Sequence, residues 1–200
     1  MANTNTDREG AGRRARTMNQ LISLLVENKP GALMRVAGVL TSRGYNIESL
    51  TVARTLDPTL SSMTIVAEVS DENRPLLIKQ ITRLVNVVKA VDLTESNAVQ
   101  RELALIKGSG VQPEMRSAVT KEAELFRAHV VDVAPTHYTL EVTGSPEKID
   151  ALIALLHHYG DVEMIRSGSM AMARLPQNRL PTPLFRKDAE RPESEPVESK

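Results

Sequence analysis

Apolar residues along this chain fall into short runs whose spacing alternates between that of a strand and that of a helix, and the alternation predicts the fold. Leu21-Ile22-Ser23-Leu24-Leu25-Val26 has the length of a buried strand and is stopped by Glu27-Asn28-Lys29-Pro30-Gly31. Leu33, Val36, Ala37 and Leu40 then recur at helical spacing on one face, and Gly44 supplies the left-handed residue that ends a helix after Arg43. Asn46 to Arg54 reads as a strand and Asp57-Pro58 as a turn, after which Met63, Ile65, Ala67 and Val69 alternate along one face of the next strand. Leu77, Ile81 and Leu84 mark a second helix starting near Asp71, and Val87 to Leu93 form a closing strand. The order is βαββαβ.

The same order returns from Glu102. Leu103 to Ile106 reads as a strand, about Gln112 to Arg127 as a helix, and Val130 to Val133 and Tyr138 to Val142 as two strands joined through Ala134-Pro135-Thr136. Ser145 can cap a helix whose first turn takes Pro146 and whose apolar face is Ile149, Leu152, Ile153 and Leu156, and Val162 to Ile165 complete the unit. The expected fold class is α+β, two ferredoxin-like βαββαβ domains, at 19–95 and 99–174. Each would be a four-stranded antiparallel sheet with both helices on one face. Leu21 to Val26 and Met63 to Val69 carry few charges on either side, so the second sheet face is expected to be covered by a partner subunit.

Composition narrows the function. In 200 residues Lys plus Arg equals Asp plus Glu at 25 each, so no net charge draws the protein to nucleic acid or to anionic lipid. There is no cysteine, hence no disulfide, thiolate metal site or cysteine nucleophile. No apolar run approaches the roughly 20 residues that cross a bilayer. Residues 1–18, with Arg13-Arg14-Ala15-Arg16 and no apolar segment, read as a disordered arm; Asp7 and Glu9 argue against a transit peptide. From Pro176 the chain carries five prolines and dense mixed charge, which predicts a disordered tail over 176–200.

Catalytic chemistry is sparse. The four histidines are His129, His137, His157 and His158, and the adjacent pair would sit about 100° apart on a helix, a poor metal face. Ser167-Gly168-Ser169 lacks the strand-to-helix setting of a nucleophile elbow. RNA-binding modules of this topology stack bases on strand aromatics, yet aromatics make up 2% of the chain, and Arg101, Lys107 and Arg127 read as ordinary solvated charges. The stretch that carries chemistry is Glu27 to Leu33. Helix-start amides and the positive dipole end favour a carboxylate, Gly31 admits a ligand to the backbone, and Asn28 adds an amide. The same residues also suit a plain helix cap.

Glu27-Asn28-Lys29-Pro30-Gly31-Ala32-Leu33, Val36-Ala37-Gly38-Val39-Leu40 and Arg43-Gly44-Tyr45-Asn46-Ile47-Glu48-Ser49-Leu50-Thr51-Val52 together resemble the ACT domain of acetohydroxyacid (acetolactate) synthase small regulatory subunits. Asp57-Pro58-Thr59-Leu60-Ser61, Met63-Thr64-Ile65 and Arg83-Leu84-Val85-Asn86-Val87 extend the likeness. Arg101 to Lys107, Ala123 to Arg127 and Arg166-Ser167-Gly168 resemble the family's carboxy-terminal domain. The likeness covers residues 19 to 174.

It implies a non-catalytic subunit of a branched-chain amino acid pathway enzyme, cytoplasmic, homodimeric through its ACT domains. Such a subunit activates a large catalytic subunit and confers feedback inhibition by valine or another branched-chain amino acid. By matching positions, Asn28, Gly31, Ala32 and Leu33 of one chain and Asn46 and Ile47 of the other would bind the effector. The resemblance implies no catalytic residue, no metal and no cofactor on this chain; thiamine diphosphate, Mg and FAD would belong to the catalytic partner. The alternative is an ACT-domain sensor of a different amino acid regulating another enzyme.

Overall fold

The structure is a computed structural model that describes residues 17–110 and 112–174. Residues 1–16, Val111 and 175–200, which include nearly all of the expected arm and tail, lie outside the described residues.

The first unit runs β1 (Thr17–Glu27), α1 (Ala32–Ser42), β2 (Asn46–Arg54), β3 (Leu60–Ser70), α2 (Arg74–Thr82) and β4 (Val87–Asp92). Its sheet has the order β2-β3-β1-β4, with every neighbouring pair antiparallel. The second unit runs β5 (Ala98–Ser109), a short 3-10 turn (Pro113–Met115), α3 (Arg116–Leu125), β6 (His129–Val133), β7 (His137–Gly144), α4 (Pro146–Leu156) and β8 (Asp161–Arg166). Its sheet repeats the topology as β6-β7-β5-β8, so the chain is two ACT-like α+β units.

Packing follows the predicted periods. Ile22, Leu24 and Val26 from β1 meet Val36 and Leu40 of α1 and Leu77 and Ile81 of α2, all buried. In the second unit Ala104, Ile106, Leu140 and Val142 meet Val119 of α3 and Ile149, Leu152 and Leu156 of α4. Gly108 is required here because Tyr138 lies across it; a Cβ at Gly108 would stand 2.1 Å from the tyrosine Cζ.

Several elements differ from their expected bounds. β1 begins at Thr17, inside the stretch expected to be disordered, because Thr17, Met18 and Asn19 pair with Ser70, Val69 and Glu68. Polar Gln20, fully buried, is held by Asp92, so the strand continues without an apolar pattern. α2 starts at Arg74 rather than near Asp71, since Asp71 and Glu72 form the turn that leads to Asn73. The helix expected from Gln112 starts at Arg116, after the 3-10 turn.

The largest difference is β9 (Met170–Ala173), a strand not anticipated, which pairs with Ala98–Arg101 at the start of β5. This two-stranded ribbon turns Ala98, Ala171 and Ala173 onto Leu21, Val66 and Leu93. The face of the first sheet expected to need a partner subunit is therefore covered in part by the chain itself.

Candidate functional site

α1 starts without a side-chain cap. Its N-cap is Gly31, with φ 83° in the left-handed region, and the first-turn amides of Leu33 and Met34 have no acceptor among the described residues. Nothing lies within 4 Å of where a Gly31 Cβ would be, so the helix start opens onto free space. Such a corner is a ready anion site.

Asn28 does not cap this helix. Its backbone amide donates to the Thr59 carbonyl at 2.7 Å and its Nδ2 to the Pro58 carbonyl at 3.0 Å, tying the β1–α1 corner to the turn between β2 and β3. Its side-chain oxygen has no hydrogen-bond donor among the described residues. Glu27 accepts from Lys29 Nζ at 3.1 Å and from Asn86 Nδ2 at 2.7 Å, and these bonds, the lysine's first, hold its carboxyl below the usual glutamate range. Lys29 is thereby engaged next to the corner. Asp57 is likewise held below the usual aspartate range by the Thr59 hydroxyl and then the Thr59 amide, which stiffens the turn that Asn28 grips.

The other expected residues are placed differently. Ala32 is buried at 4% exposure and its amide donates to the Lys29 carbonyl, so its side chain belongs to the core. Leu33 is 40% exposed beside the open corner and can serve as an apolar wall. Asn46 is exposed, with Nδ2 donating to Glu48, while Ile47 is half-buried against the first core.

Within one chain these residues do not come together. Glu27 pairs with Leu60 at one end of β3 and Asn46 pairs with Glu68 at the other. Eight residues of strand separate the two positions, roughly 27 Å. Among the described residues no group of three or more His, Cys, Asp or Glu is placed to hold a metal, and no helix is long and apolar enough to cross a membrane.

Comparison with known proteins places this scaffold. Residues 22–89 match the AHAS small subunit-like ACT domain and residues 101–175 the small subunit of acetolactate synthase. The acetolactate synthase small subunit of Mycolicibacterium smegmatis is 43% identical over 161 residues, 80% of this chain and 94% of the relative. The chain belongs to the acetolactate synthase small subunits. That of Haemophilus influenzae is 41% identical over 164 residues, 82% of this chain and all of the relative. The crystal structure of the small subunit from Thermotoga maritima superposes with a TM-score of 0.69 at 35% identity, covering 79% of this chain and 98% of that one. The role is therefore that of a non-catalytic regulatory subunit in branched-chain amino acid biosynthesis.

Sequence reasoning missed the residues that join the two units of this small subunit. The Ser169 amide donates to Ser49 Oγ on β2 at 2.8 Å, and Gln100 Nε2 donates to Ser169 Oγ at 2.8 Å. The buried Glu102 carboxylate accepts from Ser169 Oγ and faces Arg166 at 3.4 Å, and Arg166 also pairs with Asp150. The motif Arg166-Ser167-Gly168 carried the family likeness, but the sequence does not show what it packs against.

Proposed function

We propose that this small subunit senses a branched-chain amino acid at the interface of two ACT domains, activates the thiamine-diphosphate-dependent catalytic subunit in the cytoplasm, and transmits feedback inhibition by valine or a related effector. The observation that supports it is the separation just described: a free helix-start corner at one end of the sheet, and Asn46 at the other. β2 is an edge strand, and a two-fold axis through its middle would pair it antiparallel with its copy. Asn46 of the second copy would then lie beside Arg54, the end of the sheet that carries Asn28 and Gly31.

In that arrangement the Leu33 and Met34 amides hold the effector carboxylate, the Asn28 and Asn46 side-chain oxygens accept from its ammonium, and Leu33 receives the branched side chain. Ile47 contributes at the rim and Ala32 through backbone packing. The division into an ACT unit at 19–95 and a second unit at 99–174 belongs to the same reading, supported by the two separate sheets.

Titration calorimetry with valine, leucine, isoleucine and serine tests it. Branched-chain ligands are expected to bind with micromolar to millimolar constants, about 4 to 8 kcal/mol, and serine not at all. Gly31→Asp is expected to abolish inhibition while keeping activation, because aspartate tolerates the left-handed corner yet places a carboxylate where the effector's would sit. Asn46→His is expected to act similarly from the second copy. Retained valine inhibition in Gly31→Asp rules the site out, and a response to serine instead favours a sensor of another amino acid.

A further inference from the structure

The second unit carries a concave site of about 480 Å³ that the regulatory reading does not use, lined by Arg101, Arg127, His129, Thr143, Ser145 and Lys148, with Gly144 between them. No acidic side chain lines it, and Arg101, Arg127 and Lys148 have no ion-pair partner among the described residues. These charges are held together by the fold. Lys148 folds back over Gly144, where a Cβ would stand 2.6 Å from the lysine Cδ, and its Nζ donates to the Thr143 carbonyl at 2.9 Å. Arg101 is fixed by a bond from NH1 to the Gln100 carbonyl at 2.7 Å.

Arg127 is held at a cost. Directly after α3 it adopts φ 52°, the only non-glycine among the described residues in the left-handed region, at the position where a helix end favours glycine. A strained backbone that delivers a cation into a pocket already holding two others is the reverse of what folding alone selects. Partial burial, and then the charges of Arg127 and Arg101, hold the Lys148 ammonium below the usual lysine range.

We propose that this pocket binds a small multivalent anion bearing phosphate groups. Two guanidinium forks and an ammonium match the charge and the bidentate oxygens of a diphosphate, and concavity favours a small molecule over an acidic protein surface. The site stands apart from the β1–α1 corner and does not depend on the effector reading.

The test is calorimetric titration of the full chain with inorganic pyrophosphate at fixed ionic strength, with citrate as a carboxylate of similar charge. Saturable pyrophosphate binding at least tenfold tighter than citrate is expected. Arg127→Gly is expected to weaken it at least tenfold while raising the thermal midpoint, since glycine relieves the left-handed strain; a merely structural arginine would not give that combination. Lys148→Gln is expected to weaken binding with the fold intact. No saturable pyrophosphate binding, equal or tighter binding of citrate, or undiminished binding in both variants overturns the proposal.

Discussion

Gln20 is fully buried near the polar start of β1 because of one carboxylate across the sheet. Its Nε2 donates to Asp92 Oδ2 at 2.7 Å, and Asp92 also takes the Thr94 amide at 2.9 Å and faces Arg74 at 3.5 Å. Burial pushes the Asp92 carboxyl up, but the bonds from Thr94 and Gln20 and the charge of Arg74 outweigh it and leave it below the usual range. A depressed folded value means that the ionised form stabilises the fold above the unfolded value, about 3.9, and that this contribution disappears as pH falls through the lower folded value. Asp92→Asn is expected to cost about 1.5–3 kcal/mol at neutral pH. Its thermal midpoint should fall less steeply than the wild type's from pH 4 downward; equal slopes would show that Asp92 is not the linked group.

At the scale of elements, the ribbon of β5 and β9 depends on how closely residues 167–169 approach β2. Gly168 has φ 81°, and a Cβ there would stand 2.8 Å from Ser49 Oγ and 2.9 Å from Thr51 Oγ1. Both hydroxyls are on short side chains fixed by a strand, so neither can swing aside cheaply. Gly168→Ala is expected to destabilise by about 2–4 kcal/mol, the backbone strain plus the steric cost. Gly110→Ala supplies the reference, because Gly110 has φ 73° with open space around it and should show the strain alone. Urea midpoints of the two variants separate the contributions; equal losses would mean that the junction yields without resistance.

For the whole molecule, the ribbon makes the first unit dependent on the second. Leu21, Val66 and Leu93 form a small buried cluster on which Ala98, Ala171 and Ala173 pack together with Val91 of the first unit. A fragment ending at residue 95 is expected to lose roughly 3 kcal/mol of stability, the burial of one to two such side chains. Hydrogen exchange in β1 and β3 measures this directly. Exchange as slow in the fragment as in the full chain would show that the cover contributes nothing, and would favour two freely separable domains.

Local periodicity was enough for most of the architecture. The apolar spacing of Val36 and Leu40, the alternation of Met63 to Val69, and the Ser145-Pro146 start of α4 each report contacts made within one element or between chain neighbours, so they are written in the sequence itself. Leu33, expected on the same helix face, is instead exposed, and Ala32 takes its place in the core. The residue run from Glu27 to Val52 likewise carried the family and nominated the effector corner. β9 was invisible because Met-Ala-Met-Ala is too short and too weakly patterned to announce a strand, and because its partner lies some seventy residues earlier in the chain. The clustering of Arg101 and Arg127, which read as solvated charges, with Lys148 needed residues far apart in the sequence to converge. So did the burial of Gln20 and Glu102, each bought by partners far away in sequence. The sequence by itself determined the βαββαβ order of each unit, their two cores and the family. Only the tertiary structure decided which residues of different elements meet, since side-chain charge, burial and register across a sheet depend on distances that no local pattern contains.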